Sequence, residues 1–406
     1  MNTIDRTSRL AVEYTLSWSS GTMTHLERYF AEPVSVWRDV LPDGLSAALL
    51  GQGEGARAEV AVPADRFHAP RDERRVVRVR PAQFQGRDRA GRPLLPRVGR
   101  YYPQGLLHGV GGVYSQSTSP CRFLGPEGDN LVFDLNHPLA GRDLHLRAEV
   151  LRVHPPHKER GGRCEDWLDQ ISAGGPGMQA PPADGDVDVL HPAGFRRDDD
   201  RPDHLVSEQP RLVQHLDSTC RAEIEHQYGR LIAPGAEVLD LMGSWTSHLP
   251  QELPLGGLTV LGLNNEELRA NPRATAAVIH DLNREPVLPF ADGSFDAVLC
   301  TASMEYLLDP RQAAREIGRV LRPGGVAALS FSNRWFPPKA VRLWADLHEF
   351  ERLGLAAALL AGAGCFDGIT TLSRRGAPRP PDDPHWQLPF SDPLYLVWAR
   401  KNGIGQ

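Results

Sequence analysis

Residues 237–250, EVLDLMGSWTSHLP, decide how the second half of this chain is read. Val238, Leu239 and Leu241 form a short apolar run around an acid, Asp240, and a loop with one glycine, Gly243, follows. A strand too apolar to alternate is buried on both faces, the mark of a parallel sheet covered by helices. The same pattern recurs outward from this stretch: LTVLGLN at 258–264, AAVIHDL at 276–282, FDAVLC at 295–300 and GVAALSFS at 325–332, separated by helix-length segments. Upstream, residues 210–232 place Val213, Leu216, Cys220, Ile224 and Leu231 near helical spacing. Apolar strands alternating with helices predict a doubly wound α/β domain, set here at residues 204–406.

In such sheets ligands bind at the carboxyl ends of the strands, where a turn rich in glycine lets backbone N–H groups approach closely. That makes Asp240 to Thr246 the candidate turn. The ordered motifs resemble a class I S-adenosylmethionine-dependent methyltransferase: EVLDLMGSWTSHLP at the first strand, GLNNEEL after the second, HDLNREPVLPFADGSFDAVLCTASMEYL across the third and fourth, and RVLRPGG before the fifth. The resemblance implies S-adenosylmethionine as cofactor, with Asp240, Gly243 and Ser244 in its loop. It puts Asn264 where an acid normally accepts from the ribose hydroxyls, and Asp281 and Leu282 where adenine is held. The usual D-x-G-x-G-x-G reads Asp240-Leu241-Met242-Gly243-Ser244-Trp245-Thr246, so side chains stand where glycines would. If cofactor binds, the hydroxyls of Ser244, Thr246 or Ser247 are expected to supply donors in place of backbone groups. Methyl transfer needs chiefly an in-line approach. His248 and Ser303 to Tyr306 are the candidates for acid–base help, and Asn333 to Lys339 for a lid; the methyl acceptor is not legible.

The first half uses a different pattern. LAVEYTLSW at 10–18 and ARAEVAV at 56–62 alternate as strands, and VLPDGLSAALLGQGEG between them reads as turn, short helix and glycine-rich exit. A charged, loop-rich stretch follows Phe67, and LVFDLNHPLAGRDLHLRAEV closes the region at 131–150. These stretches, the NHPLAG turn above all, resemble an FKBP-type peptidyl-prolyl isomerase of the SlyD kind. The resemblance implies an α+β half-barrel over residues 1–69 and 136–154, interrupted at 70–135 by a β-rich flap subdomain that binds unfolded polypeptide. Tyr14, Leu41, Pro42, Leu45, Phe67 and Leu146 match the family's pocket for proline-containing polypeptide. Phe84, Leu94, Leu95, Tyr101 and Tyr102 are expected to be exposed on the insert. Residues 155–203, dense in proline, glycine and like charge, predict a flexible linker in which only CEDWLDQI has the pattern of a short docking helix.

At 406 residues the chain is long enough for two or three cores. A formal net charge of −6 with acids and bases interspersed lacks the basic footprint of a nucleic-acid or membrane binder. Five scattered cysteines, never in CxxC spacing, predict neither a disulfide framework nor a zinc site, and His154, His157 and Cys164 are too sparse for a metal. With no signal-peptide pattern and no long apolar run, the expected location is the cytoplasm. The reading is thus a bifunctional protein, isomerase or chaperone-like in its first half and methyltransferase in its second. Its rival is a non-catalytic client-binding protein on a degenerate methyltransferase scaffold.

Overall fold

The computed structural model describes residues 3–62, 70–87, 91, 93–155, 161–181 and 191–403. The chain divides into two compact units that interleave along the sequence: unit 1 comprises 1–20, 31–191 and 347–355, and unit 2 comprises 21–30, 192–346 and 356–406.

In unit 1, β1 (Arg9–Ser20) buries Leu10, Val12, Tyr14, Leu16 and Trp18, the alternate positions that the pleat directs to one face. β2 (Met23–Ser35) enters this unit only from residue 31. Helix α1 (Leu45–Leu49) buries Leu45 and Leu49, and β3 (Arg57–Val62) follows. The inserted sheet is antiparallel, built from β4 (Val76–Val79), β5 (Tyr101–Pro103), β6 (Pro120–Glu127) and β7 (Asn130–Asp134) in the order β4-β7-β6-β5. β8 (Leu144–Val153) then returns between β1 and β3, antiparallel to both. The 136–141 turn joins the four-stranded sheet to β8. Asn136 donates to the Asp134 carboxylate and the Asp72 carbonyl and accepts from the Asp72 N–H, while Leu139 is fully buried.

Two expectations are corrected here. The insert does not display the apolar residues assigned to polypeptide binding: Phe84 and Tyr102 are buried with Phe123 and Phe133 in a core of its own, and Leu94 packs against it, leaving Leu95 as the exposed one. Four short strands have enough aromatic area to close their own core, with Phe84 5.4 Å from both Tyr102 and Phe133, ring centre to ring centre. Nor do the described parts of 155–203 behave as a linker. Asp166 caps α2 (Trp167–Ser172), the one short helix expected there, and Trp167, Ile171, Met178 and Ala180 are buried. Local composition hid a few well-spaced apolar residues that suffice to dock the segment. The remainder of that stretch, 156–160 and 182–190, lies outside the described residues.

Unit 2 is the expected doubly wound sheet. β9 (Glu237–Leu241), β10 (Gly257–Gly262), β11 (Ala276–Ile279), β12 (Phe295–Thr301) and β13 (Leu321–Phe331) run parallel, and β14 (Phe366–Arg375) and β15 (Leu394–Lys401) add an antiparallel edge. Their order, β11-β10-β9-β12-β13-β15-β14, reverses direction between β9 and β12. Helices α3 (Asp203–Val206), α4 (Ser218–Leu231), α5 (Asn265–Ala270), α6 (Pro310–Val320), α7 (Arg342–Asp346) and the end of α8 (Glu349–Gly362) complete the unit. Cys220, Ile224 and Tyr228 of α4 pack on Val238, Val260, Leu299 and Ala328. Residues 24–29 of β2 pair in parallel with 370–375 of β14, so the sheet takes a strand from the far end of the sequence. Glu27, fully buried, meets Arg375 at 2.7 Å, and Arg28 and Arg374 both reach Glu223.

Candidate functional site

The loop after β9 is forced into its path by two glycines. A Cβ on Gly243 would stand 2.6 Å from the Asp240 carboxyl, and one on Gly262 would stand 2.5 Å from the Gly243 carbonyl. The Gly243 N–H donates to the Leu261 carbonyl at 2.9 Å, sealing the loop onto β10. Beyond it Met242 and His248 adopt φ of +56° and +50°, and across the sheet Ala302, after β12, adopts +48°. These are the three non-glycine residues with positive φ among the described residues, and all three line one cavity of about 760 Å³ at the carboxyl ends of the strands. Left-handed backbone at non-glycine residues costs on the order of 1–3 kcal/mol each and gathers at working sites. The volume is that of a small-molecule pocket.

Asp240 sits at the floor, 2% exposed. Burial raises its pKa to about 7, against the opposing hydrogen bond from the Ser247 hydroxyl. Its Oδ2 is buried with no hydrogen-bond partner. His248 goes the other way: burial and the Arg221 charge lower its pKa to about 4, so at neutral pH it is an uncharged imidazole. Asn271, buried, donates to the Ser244 carbonyl at 3.0 Å and the Ser247 hydroxyl at 2.8 Å, pinning the loop from behind. Tyr228 braces the far strands through Thr301 and Ser330, each at 2.7 Å.

The structure brings Asp240, Gly243, Ser244, Asn264, Asp281, Leu282 and His248 together on this one cavity. Their individual states differ from the expected ones in three places. Asn264 is not available to accept from a ribose: its Oδ1 caps α5 by taking the N–H of Glu266 and Glu267, and its Nδ2 donates to the Ser207 carbonyl. The Ser244 hydroxyl donates to Glu267 at 2.6 Å rather than into the cavity. The hydroxyls of Thr246 and Ser247 are likewise engaged, with Gln214 and with Asn271. Trp245 donates to the Val213 carbonyl at 3.3 Å, and Arg211 N–H to Glu267 at 2.7 Å, so the segment before α4 lies along the loop. Asp281 spends one oxygen on the Asn283 N–H at 3.0 Å, and Leu282 is buried beside it. Sequence reasoning missed Asn271 and Asn283, and Glu267, placed by the sequence just beyond the ribose position, was given no role there; the structure sets it against Ser244 and Arg211 N–H.

The positions matched to an isomerase pocket are packed as core. Tyr14, Leu45 and Leu146 are no more than 1% exposed, and the Tyr14 ring stacks on Trp167 with centroids 6.3 Å apart. Trp167 is locked there by its indole N–H to the Asp39 carboxylate at 2.9 Å and by its backbone N–H to the Val40 carbonyl at 3.2 Å. A peptide has no access to these side chains while α2 is docked. Leu41 is half-buried, and Phe67 lies outside the described residues. His154 lies 2.9 Å from Glu32 and Cys164 donates to the Arg38 carbonyl, while His157 is also outside the described residues.

A family model described as a methyltransferase domain matches residues 243–329. An uncharacterised methyltransferase of Mycobacterium sp. (strain JLS) is 30% identical over 178 residues, 42% of this chain and 62% of the relative. The ubiquinone/menaquinone biosynthesis C-methyltransferase UbiE of Laribacter hongkongensis is 30% identical over 142 residues, 32% of this chain and 56% of the relative. The chain thus spans roughly three fifths of the length of these relatives, 62% and 56%. An S-adenosylmethionine-dependent methyltransferase structure from Mesorhizobium loti aligns at 17% identity and a TM-score of 0.27, covering 42% of this chain and 92% of the other. The matches lie in the second half, and none of these comparisons points to an FKBP-type first half. No described helix is long and apolar enough to cross a membrane. Residues 243–329 of the C-terminal region thus match a methyltransferase domain, and the cofactor that match implies is S-adenosylmethionine.

Proposed function

We propose that this chain transfers a methyl group from S-adenosylmethionine to a small-molecule acceptor in the cavity above β9 and β12. The observation that carries this reading is Asp240 Oδ2, a buried carboxylate oxygen with no partner, facing a cavity rimmed by three strained residues. A buried acceptor left unsatisfied costs about 1–3 kcal/mol, a cost a cationic ligand would reverse. Gly262 keeps the loop close to β10, and Gly243 leaves space beside that oxygen which a Cβ would fill. Asp281 retains acceptor capacity beside the apolar wall of Leu282. These residues would hold the cofactor, which when bound supplies an electrophilic methyl group on a sulfonium. The chain's own contribution is to orient and to exclude water. His248, neutral and without a hydrogen bond among the described residues, is placed to accept a proton from an acceptor that needs to lose one.

The relatives named for ubiquinone and menaquinone biosynthesis support a small-molecule acceptor. For unit 1 the burial of Tyr14, Leu45 and Leu146 beneath Trp167 favours a packing role over prolyl isomerisation. Calorimetry of the full chain with S-adenosylhomocysteine tests the main reading: one saturable site is expected. No heat and no thermal shift at millimolar ligand would leave only the scaffold.

A further inference from the structure

Charges of both signs line the cavity. Asp240, Glu267 and Asp281 stand on the side formed by β9, β10 and β11, where a cationic cofactor would be met. Asp203, hydrogen-bonded to Asn283 two residues from Asp281, is neutralised by Arg197 at 2.6 Å and Lys339 at 3.0 Å. That leaves two guanidinium groups at the mouth. Arg211 lies over the Phe336 ring, 5.5 Å from its centre, and among the described residues no carboxylate is within ion-pairing distance of it. Arg334 approaches Asp392 only to 3.9 Å, and Asp392 is already held by Arg379 at 2.7 Å.

Beside Arg334 stands an apolar surface on a rigid base. His385 Nδ1 meets Arg334 at 3.2 Å, which places the loop between β14 and β15 at the rim. Arg379 clamps that loop through Asp392, Asp383 and Asp217, and Asp217 takes the Asp392 N–H and the Ser391 hydroxyl. A loop so tied has no freedom to tuck its apolar residues away. Yet Trp386 is 69% exposed, Phe390 54% and Leu388 44%, and Phe336 on the neighbouring rim is 42% exposed. Several large apolar side chains together, edged by cations, mark a recognition surface.

We infer that the acceptor is an apolar small molecule that enters as an oxyanion, its charge met by Arg211 and Arg334 and its hydrocarbon part laid across Trp386, Leu388 and Phe390. The inference rests on the methyltransferase reading of this cavity. An acceptor held as its anion needs no base: the new carbon–oxygen bond uses the anion's own electron pair, the carbon–sulfur pair returns to sulfur, and no proton has to be placed. An amine acceptor entering as its ammonium would meet two like charges.

Two probes of matched shape and opposite charge test this in the full chain saturated with S-adenosylhomocysteine: naphthalene-2-carboxylate and 2-naphthylmethylammonium, titrated by calorimetry. The carboxylate should bind at least about tenfold more tightly, the scale of a complementary charge contact. Arg334→Gln and Arg211→Gln should each reduce that preference, and Trp386→Ala should weaken both probes alike, with circular dichroism melts controlling for folding. Equal affinities, a preference for the ammonium, no binding of either probe, or a preference that survives both arginine variants overturns the inference. Binding of S-adenosylhomocysteine is read first and separately. Its absence sinks the methyltransferase reading, whereas normal binding with no charge preference sinks this one alone.

Discussion

Replacing Asp240 by Asn should change stability by an amount that depends on pH, and the size follows from the fold. Burial raises the Asp240 pKa from 3.8 to about 7. A carboxyl whose pKa is raised by folding contributes stability at pH below its unfolded value and loses it as pH rises through the folded value. Between about pH 5 and pH 8 the unfolded chain carries the charge throughout while the folded chain acquires it near pH 7. The two units of pH from 5 to 7 correspond to about 3 kcal/mol at 1.36 kcal/mol per unit. Asn has no such charge. It does introduce a constant offset of about 1–3 kcal/mol, because its amide N–H faces the same partnerless position as Oδ2. The difference between variant and parent should therefore shift in favour of Asn by about 3 kcal/mol from pH 5 to pH 8, whatever the offset. Denaturant unfolding followed by tryptophan fluorescence at both pH values measures it. A difference between parent and Asp240→Asn that stays the same at the two pH values would refute the buried, partnerless carboxylate. In the same variant the affinity for S-adenosylmethionine should fall at pH 8, since the ionised acid is the form that attracts a cation.

Four further outcomes follow from the same geometry. Gly243→Ala should abolish cofactor binding and cost about 1–3 kcal/mol, as its Cβ strikes both Asp240 and Val260; calorimetry and a melt that match the parent would contradict it. Trp167→Ala should destabilise the chain by about 3–5 kcal/mol through lost core and the lost bond to Asp39, with no gain in prolyl isomerisation of a test peptide; a gain would restore an isomerase role to unit 1. Glu27→Ala should cost about 3–5 kcal/mol by removing the carboxylate that pairs with the buried Arg375, and a fragment of residues 200–406 should melt well below the full chain for lack of residues 24–29; equal melting points would show the borrowed strand to be dispensable.

Much of unit 2 was legible because its signals are local. Runs such as LTVLGLN and FDAVLC state by their apolarity alone that both faces are covered, and Asp240, Gly243 and Asp281 fall at strand ends by counting. The roles of Asn264 and Ser244 were not legible in this way. Whether an amide accepts from a ligand or caps a helix depends on which N–H groups the fold brings within 3.0 Å, and here Glu266 and Glu267 supply them. The 155–203 stretch failed for a related reason: composition averages over a segment, while docking needs only Trp167 and Ile171 at the right places.

By itself the sequence determined the α/β class of the second half, the position of the loop after β9 and, in the first half, β1, α1 and β3 but not the β2 strand between β1 and α1, since each of these rests on periodicity and spacing within a few dozen residues. Only the tertiary structure decided the rest. It put residues 24–29 into the sheet of unit 2, closed Tyr14 under Trp167, left one oxygen of Asp240 without a partner and brought Arg211 and Arg334 to the same cavity. All of these are contacts between residues far apart in sequence, and their energies depend on distance and burial, quantities that exist only once the chain has folded.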